Sequence, residues 1–136
     1  MKYYLLNKSQ FINHPIEKVF LFFSKPENLE MITPKYLNFI IKTPSPVIMK
    51  VGSIIDYNIQ LRGIPLSWST LISKYEPPNI FVDEQIKGPY AYWHHTHIFK
   101  EKNGGTVIED KIKYRVPFRI IGRVLNYLFI QNDLKK

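Results

Sequence analysis

Residues 88–114 read GPYAYWHHTHIFKEKNGGTVIEDKIKY, and this stretch decides the fold of the chain. Two runs rich in strand-forming residues, 93–101 and 106–116, flank a short segment at residues 102–105 that contains Asn and Gly. Asn and Gly readily adopt the positive φ angles that a tight reversal of the chain requires. The stretch therefore predicts a β-hairpin.

Side chains alternate between the two faces of a strand, and the second arm of this hairpin carries a charge at every second position from 109 to 115. That charged face belongs in water, so the opposite face must point to the interior. With residues 102–105 as the loop, His97 lies opposite Asp110 and Trp93 lies opposite Tyr114. The predicted inner face of the hairpin consists of Trp93, His95, His97, Phe99, Ile108, Asp110, Ile112 and Tyr114.

His95, His97 and Asp110 form a polar group on this otherwise apolar face. A buried carboxylate without partners is costly, and two imidazoles beside it compensate for that cost. An apolar wall with a few convergent polar groups is typical of a small-molecule pocket. The alternative is a structural ion pair between His97 and Asp110, with His95 packed as a core histidine.

A zinc site in this polar group is a less favoured alternative. Three ligands are available in His95, His97 and Asp110, but the chain has no cysteine and only two further histidines, His14 and His94. Because His94 is predicted to face outward, the sequence predicts no metal at this site and no other cofactor.

Length and composition indicate one soluble globular domain at residues 1–136. Hydrophobic residues make up 45% of the chain and aromatic residues 15%, which suffices for both a core and an apolar cavity lining. The absence of cysteine excludes a disulfide framework and a thiolate site. The amino terminus lacks an apolar segment long enough for a signal peptide or a membrane span, so we expect a cytoplasmic protein.

The net charge of +8 would suit an anionic partner such as nucleic acid or a membrane surface. The 19 Lys and Arg residues are scattered, however, and the sequence contains no recognisable nucleic-acid-binding motif. We therefore predict a solvated basic surface and no nucleic-acid partner, with a membrane surface as a less favoured alternative.

The rest of the chain predicts an antiparallel sheet with helices at both ends. A first strand at residues 3–13 is followed by a short amphipathic helix that opens at Pro15 and by a second short helix at residues 26–31. Further strands are predicted at residues 37–42, 53–62, 66–75 and 80–86. Alternation places Tyr57 and Trp68 on the inner face, but it leaves the inner face of residues 80–86 undecided.

After Pro117, apolar residues recur at helical spacing up to residue 129. This pattern predicts a C-terminal helix that lies across the sheet or acts as a lid. We expect that helix to continue beyond Lys136.

The order of these elements and several motifs resemble the START-like superfamily, also called SRPBCC or Bet v 1-like. Its opening strand-to-helix segment is matched by Ile12-Asn13-His14-Pro15-Ile16-Glu17-Lys18-Val19-Phe20. More specific is the hairpin motif Trp93-x-His95-x-His97-x-Phe99, followed by Gly105-Thr106-x-x-x-Asp110-x-x-x-Tyr114. Together these motifs resemble a bacterial branch described as ligand-binding or cyclase/dehydrase-like.

The resemblance implies an α+β helix-grip fold. In this fold a curved antiparallel sheet of about seven strands surrounds a long C-terminal helix, and two short helices follow the first strand. An apolar cavity lies between sheet and helix. Members of the family bind lipids, polyketides, sterols or other hydrophobic molecules, and some cyclise or dehydrate them.

Three functions follow from these observations, and we favour the first, which is binding of a small hydrophobic ligand such as a lipid or polyketide. The second is a cyclase, dehydratase or isomerase, in which Asp110 orients His97 as a general base and His95 or Tyr114 polarises a carbonyl. The third is docking of a partner protein or an anionic membrane on the basic C-terminal helix. The residues predicted to contact a hydrophobic ligand are Tyr57, Trp68, Trp93, His95, His97, Phe99, Asp110, Ile112 and Tyr114.

Overall fold

A computed structural model of the chain describes residues 3–28, 31, 33, 35–44, 46–61 and 63–116, without the side chain of Leu61. Helix α1 spans Ile16–Phe23, and short 3-10 helices lie at Pro26–Asn28 and Lys35–Leu37. No helix in these ranges is long and apolar enough to cross a membrane. The strands are β1 (Tyr3–Ile12), β2 (Ile40–Ile41), β3 (Ile54–Leu61), β4 (Ile64–Glu76), β5 (Ile80–Lys87), β6 (Tyr92–Lys102) and β7 (Gly105–Arg115).

The described strands form one seven-stranded antiparallel sheet in the order β1-β7-β6-β5-β4-β3-β2. From β2 to β7 each strand pairs with the next strand in the chain. Strand β1 pairs with β7 and forms one edge of the sheet. This topology confirms the predicted antiparallel sheet of about seven strands. The predicted C-terminal helix falls on residues 117–136, which lie outside the described residues.

One predicted element differs from the structure near the start of the chain. The strand predicted at residues 37–42 is only two residues long, Ile40–Ile41. Lys35–Leu37 instead forms a 3-10 helix, and Asn38 has a φ of 46°, a left-handed conformation that interrupts an extended backbone. The second short helix begins as a 3-10 turn at Pro26–Asn28, and residues 29 and 30 lie outside the described ranges.

The central hairpin has the predicted register and a shorter loop. His97 pairs with Asp110 and Trp93 pairs with Tyr114, as expected. The ladder continues to a pair between Lys102 and Gly105, so that only residues 103 and 104 form the turn, with φ angles of 49° and 78°. Two successive positive φ angles at Asn-Gly define a type I′ turn, whose twist matches that of the paired strands.

The core of the described residues consists of two apolar clusters. Cluster A is built mainly from β3, β4, β6 and β7, whereas cluster B joins helix α1 to β5, β6 and β7. The buried members of cluster A are Ile59, Trp68, Tyr90, Trp93, Ile112, Tyr114 and Val116. Those of cluster B are Ile16, Val19, Phe20, Phe81, Phe99 and Ile108.

Thr106 ties the tip of the hairpin to the loop before α1. Its side chain is fully buried, and its hydroxyl donates a hydrogen bond of 2.8 Å to the carbonyl oxygen of His14. We expect Thr106→Val to lower the free energy of unfolding by about 1 kcal/mol, because the carbonyl loses its donor while the packing volume is kept. Urea denaturation checks this value. Thr96→Val serves as the matched control, because Thr96 lies on β6 and faces away from the inner side of the sheet. Equal stability of the two variants would contradict the prediction.

Candidate functional site

Two neighbouring strand pairs place four polar side chains side by side on the inner face of the sheet. Asp83 on β5 pairs with His95 on β6, and His97 on β6 pairs with Asp110 on β7. Cross-strand partners share a face, so all four side chains project from the same side. We call Asp83, His95, His97 and Asp110 the His-Asp cluster.

Within the His-Asp cluster, each imidazole lies between the two carboxylates. His97 Nε2 is 2.6 Å from Asp83 Oδ2, and its Nδ1 is 3.3 Å from Asp110 Oδ1. His95 Nε2 is 3.0 Å from Asp110 Oδ1, and its Nδ1 is 3.8 Å from Asp83 Oδ2. The two rings are stacked with centroids 3.6 Å apart, which holds all four groups in one compact unit.

Aromatic side chains from both apolar clusters flank the His-Asp cluster. Phe81 of cluster B stacks on His97 with ring centroids 4.0 Å apart, and Trp93 of cluster A meets His95 edge to face at 6.2 Å. The Trp93 side chain also lies close enough to Asp83 to help lower the pKa of that carboxyl. These contacts fix the orientation of the polar groups.

Charge in the cluster is unevenly distributed between the two histidines. Burial alone would lower the pKa of His97, but its hydrogen bonds to Asp110 and Asp83 and their negative charges outweigh burial and raise that pKa to about 9. Burial and the neighbouring charge of His97 lower the pKa of His95. At neutral pH, His97 is therefore an imidazolium and His95 is neutral.

Both aspartates are ionised at neutral pH. Burial opposes their ionisation, but hydrogen bonds from the histidines and the positive charge there outweigh it, so the pKa of each carboxyl lies below its ordinary value. The cluster thus holds two carboxylates around one charged and one neutral imidazole.

The other predicted site residues divide between the two apolar clusters. Tyr57 stacks on Trp68 at 5.8 Å, and Trp68 meets Trp93 edge to face at 5.3 Å, which forms an aromatic wall on the cluster A side. Ile112 and Tyr114 belong to the same cluster. Phe99 instead belongs to cluster B, where it packs against α1 with its ring centroid 5.0 Å from that of Phe20. Burial and the negative charge of Asp83 raise the pKa of Tyr57, so its hydroxyl stays protonated.

Asp83 and Phe81 lie on the inner face of β5, which the sequence analysis left undecided. Both faces of the 80–86 run carry an acid and apolar side chains, so alternation could not rank them. Two inward-facing histidines could have indicated a second buried carboxylate beside Asp110, because buried ionisable groups need partners. Asp83 is that carboxylate.

Neither a family model nor a curated protein matches this sequence. Solved structures match it closely in fold. The Zhui aromatase/cyclase from Streptomyces sp. R1128 has a TM-score of 0.76 at 9% identity, over 96% of this chain and 87% of that one. The protein TTHA0849 from Thermus thermophilus has a TM-score of 0.72 at 15% identity, over 93% of this chain and 84% of that one.

A plant protein gives the same result. Major latex-like protein 151 from Panax ginseng has a TM-score of 0.66 at 14% identity, over 98% of this chain and 95% of that one. At such identities the likeness establishes the fold alone. The chain thus has the fold of the SRPBCC, or Bet v 1-like, superfamily, which the hairpin motif predicted.

Proposed function

We propose that this protein binds a small hydrophobic molecule, such as a lipid or polyketide, against the inner face of the sheet. The observation that carries the proposal is the uneven burial around the His-Asp cluster. The side chains of His95, His97, Asp83 and Asp110 keep 14 to 20% of their surface accessible. Trp93, only 7% exposed, and Trp68, only 3% exposed, line the same face. The polar groups are thus more accessible than the aromatic side chains that flank them, which supports a ligand whose polar end meets the cluster.

The aromatic wall of Tyr57, Trp68 and Trp93 supplies the apolar contact in this proposal. A ligand that buries about 300 Å² of apolar surface gains roughly 7 kcal/mol before the entropic costs of binding are subtracted. The His-Asp cluster would receive the polar end of the ligand and fix its orientation. The predicted C-terminal helix would close the cavity from the other side.

Native mass spectrometry of freshly purified protein tests the proposal directly. We expect an added mass in the range of a lipid or polyketide that disappears when the same sample is denatured. If the protein shows only its own mass, titration with the naphthalene dye ANS tests the same site. The two tryptophans of the chain, Trp68 and Trp93, both lie on the inner face, so energy transfer from them to the dye reports binding at this site.

Substituting Tyr57 by leucine should weaken ANS binding about 5- to 10-fold, because the ligand loses one aromatic contact. Tyr92→Leu is the matched control, since Tyr92 lies on β6 one residue before Trp93 and faces the opposite side. Fluorescence titration of both variants checks the prediction. Equal affinities of the two variants would place the dye elsewhere and would contradict the proposed site.

A second candidate function is favoured by the charge states of the histidines. The neutral ring of His95, hydrogen-bonded to Asp110 at 3.0 Å, has the properties of a general base, whereas the raised pKa of His97 suits a proton donor. The base in a cyclase, dehydratase or isomerase would then be His95, instead of His97 as the sequence suggested. A named structural neighbour is an aromatase/cyclase, so aromatic polyketide precursors are the substrates to screen first. Loss of turnover in His95→Gln with ANS binding retained would support His95 as the base. Turnover unaffected by that change would exclude His95 from this role, and wild-type protein that turns over no such precursor would contradict the function itself.

A further inference from the structure

One donor atom from each of Asp83, His95 and His97 lies within 4.8 Å of the other two. Asp83 Oδ2 is 2.6 Å from His97 Nε2 and 3.8 Å from His95 Nδ1, so one nitrogen of each ring lies beside the same carboxylate oxygen. Donor atoms bound to one ion at about 2.0 to 2.2 Å lie roughly 3.0 to 3.5 Å apart. The observed distances of 2.6 and 3.8 Å fall on either side of that range. Shifts of less than about 1 Å, together with a tilt of the two stacked rings toward Asp83, would bring the donor atoms to the separations of an ion site.

Asp110 provides an independent observation from the far side of the two rings. Its Oδ1 is 3.0 Å from His95 Nε2 and 3.3 Å from His97 Nδ1, which are the ring nitrogens that face away from Asp83. Metal-binding histidines almost always donate the N–H of the non-coordinating nitrogen to a carboxylate, a carbonyl or a water. Here Asp110 Oδ1 accepts a hydrogen bond from His95 Nε2 and lies at ion-pair distance from His97 Nδ1. The arrangement turns His95 Nδ1 and His97 Nε2 toward Asp83, and His97 Nε2 offers a lone pair to an ion once its proton has left.

The chemistry of the donors selects a class of ion. Two imidazoles and one carboxylate suit first-row transition metals such as Zn²⁺ and Fe²⁺, whereas Mg²⁺ and Ca²⁺ prefer oxygen ligands alone. Three protein ligands on one side of the ion leave further coordination positions open. The accessible surface of these side chains, 14% for His95 and 20% for Asp83, gives an ion or a ligand a path to the site.

We propose that Asp83, His95 and His97 bind one first-row divalent metal ion through Asp83 Oδ2, His95 Nδ1 and His97 Nε2, and that Asp110 orients both imidazoles. The ion replaces the proton between His97 Nε2 and Asp83 Oδ2, which leaves to solvent. This site goes beyond hydrophobic-ligand binding and does not depend on it. It also revises the expectation drawn from the sequence, which counted Asp110 as a ligand and did not place Asp83 on the inner face.

Isothermal titration of EDTA-treated full-length protein with Zn²⁺, without any hydrophobic ligand, tests this proposal. We expect one ion per chain. Asp83→Asn should weaken binding by more than about 100-fold, and Asp110→Asn by about 10- to 100-fold, because outer carboxylates contribute less than ligands. His94→Ala and His14→Ala, which replace the other two histidines of the chain, should leave the affinity unchanged. Far-UV circular dichroism confirms that each variant is folded.

The absorption spectrum of wild-type protein with Co²⁺ provides a measurement that requires no variant. We expect ligand-field bands stronger than those of the aquated ion, as low-coordinate cobalt with nitrogen ligands gives. An unchanged aquated spectrum, no saturable Zn²⁺ binding, or equal affinity of wild type and Asp83→Asn would each overturn the proposal. Binding that is lost in His94→Ala or His14→Ala would assign the ion to the surface and would overturn it as well.

Discussion

Replacing Asp83 by alanine is expected to lower the free energy of unfolding of the metal-free protein by about 3 to 5 kcal/mol at pH 7. The imidazolium of His97 is only 17% exposed, and its closest partner is Asp83 Oδ2 at 2.6 Å. Removing that carboxylate leaves the charge facing a cavity, with Asp110 at 3.3 Å as the other carboxylate in contact with it. A buried charge without adequate compensation costs more than the intact pair contributes.

Urea denaturation in EDTA measures this effect, and Glu84→Ala provides the matched control. Glu84 follows Asp83 on β5 and faces the opposite side, so its removal should change the unfolding free energy by less than about 0.5 kcal/mol. Combining Asp83→Ala with His97→Gln should recover part of the loss, because the uncompensated charge is then removed. If Asp83→Ala costs no more than Glu84→Ala, the cluster does not hold a charged His97.

The inward position of Asp110 was predictable because its strand offers one clear face. Charges alternate along β7 at Glu109, Lys111, Lys113 and Arg115, so only one register puts the apolar side chains inside, and Asp110 goes with them. The Asn-Gly turn then fixed the partner on β6. Local patterning and turn chemistry agreed here, which explains why the register with His97 was correct.

The position of Asp83 depends on features that alternation does not encode. The pairing of β4 with β5 shifts register between Ser69 and Thr70 and again between Ile72 and Lys74. Such irregularities change which residues face each other, so counting from β4 cannot identify the inner face of β5. The sequence likewise cannot assign the proton in the cluster. That assignment depends on the position of Asp83 Oδ2, which is 2.6 Å from His97 Nε2 but 3.8 Å from His95 Nδ1.

The stability of the metal-free protein is expected to fall by about 2 to 3 kcal/mol between pH 6.5 and pH 9.5. His97 has a pKa of about 9 in the folded protein and 6.5 as its ordinary value. Below pH 6.5 both the folded and the unfolded chain bind this proton, so its stabilising contribution is complete. Between the two values only the folded chain holds the proton, and the contribution declines until it is lost above pH 9. At 1.36 kcal/mol per pH unit, the interval of 2.5 units sets an upper limit of about 3.4 kcal/mol.

The other groups of the cluster do not change the stability between pH 6.5 and 9.5. Asp83 and Asp110 have lowered pKa values, so their contribution is complete at neutral pH and is lost only in acid. The lowered pKa of His95 reduces stability only as the pH falls below 6.5. Urea denaturation in EDTA at half-unit pH steps measures the slope, and His97→Gln removes the titrating group. The wild-type slope should disappear in that variant. A wild type whose stability stays constant from pH 6.5 to 9.5 would contradict a charged His97 between Asp83 and Asp110.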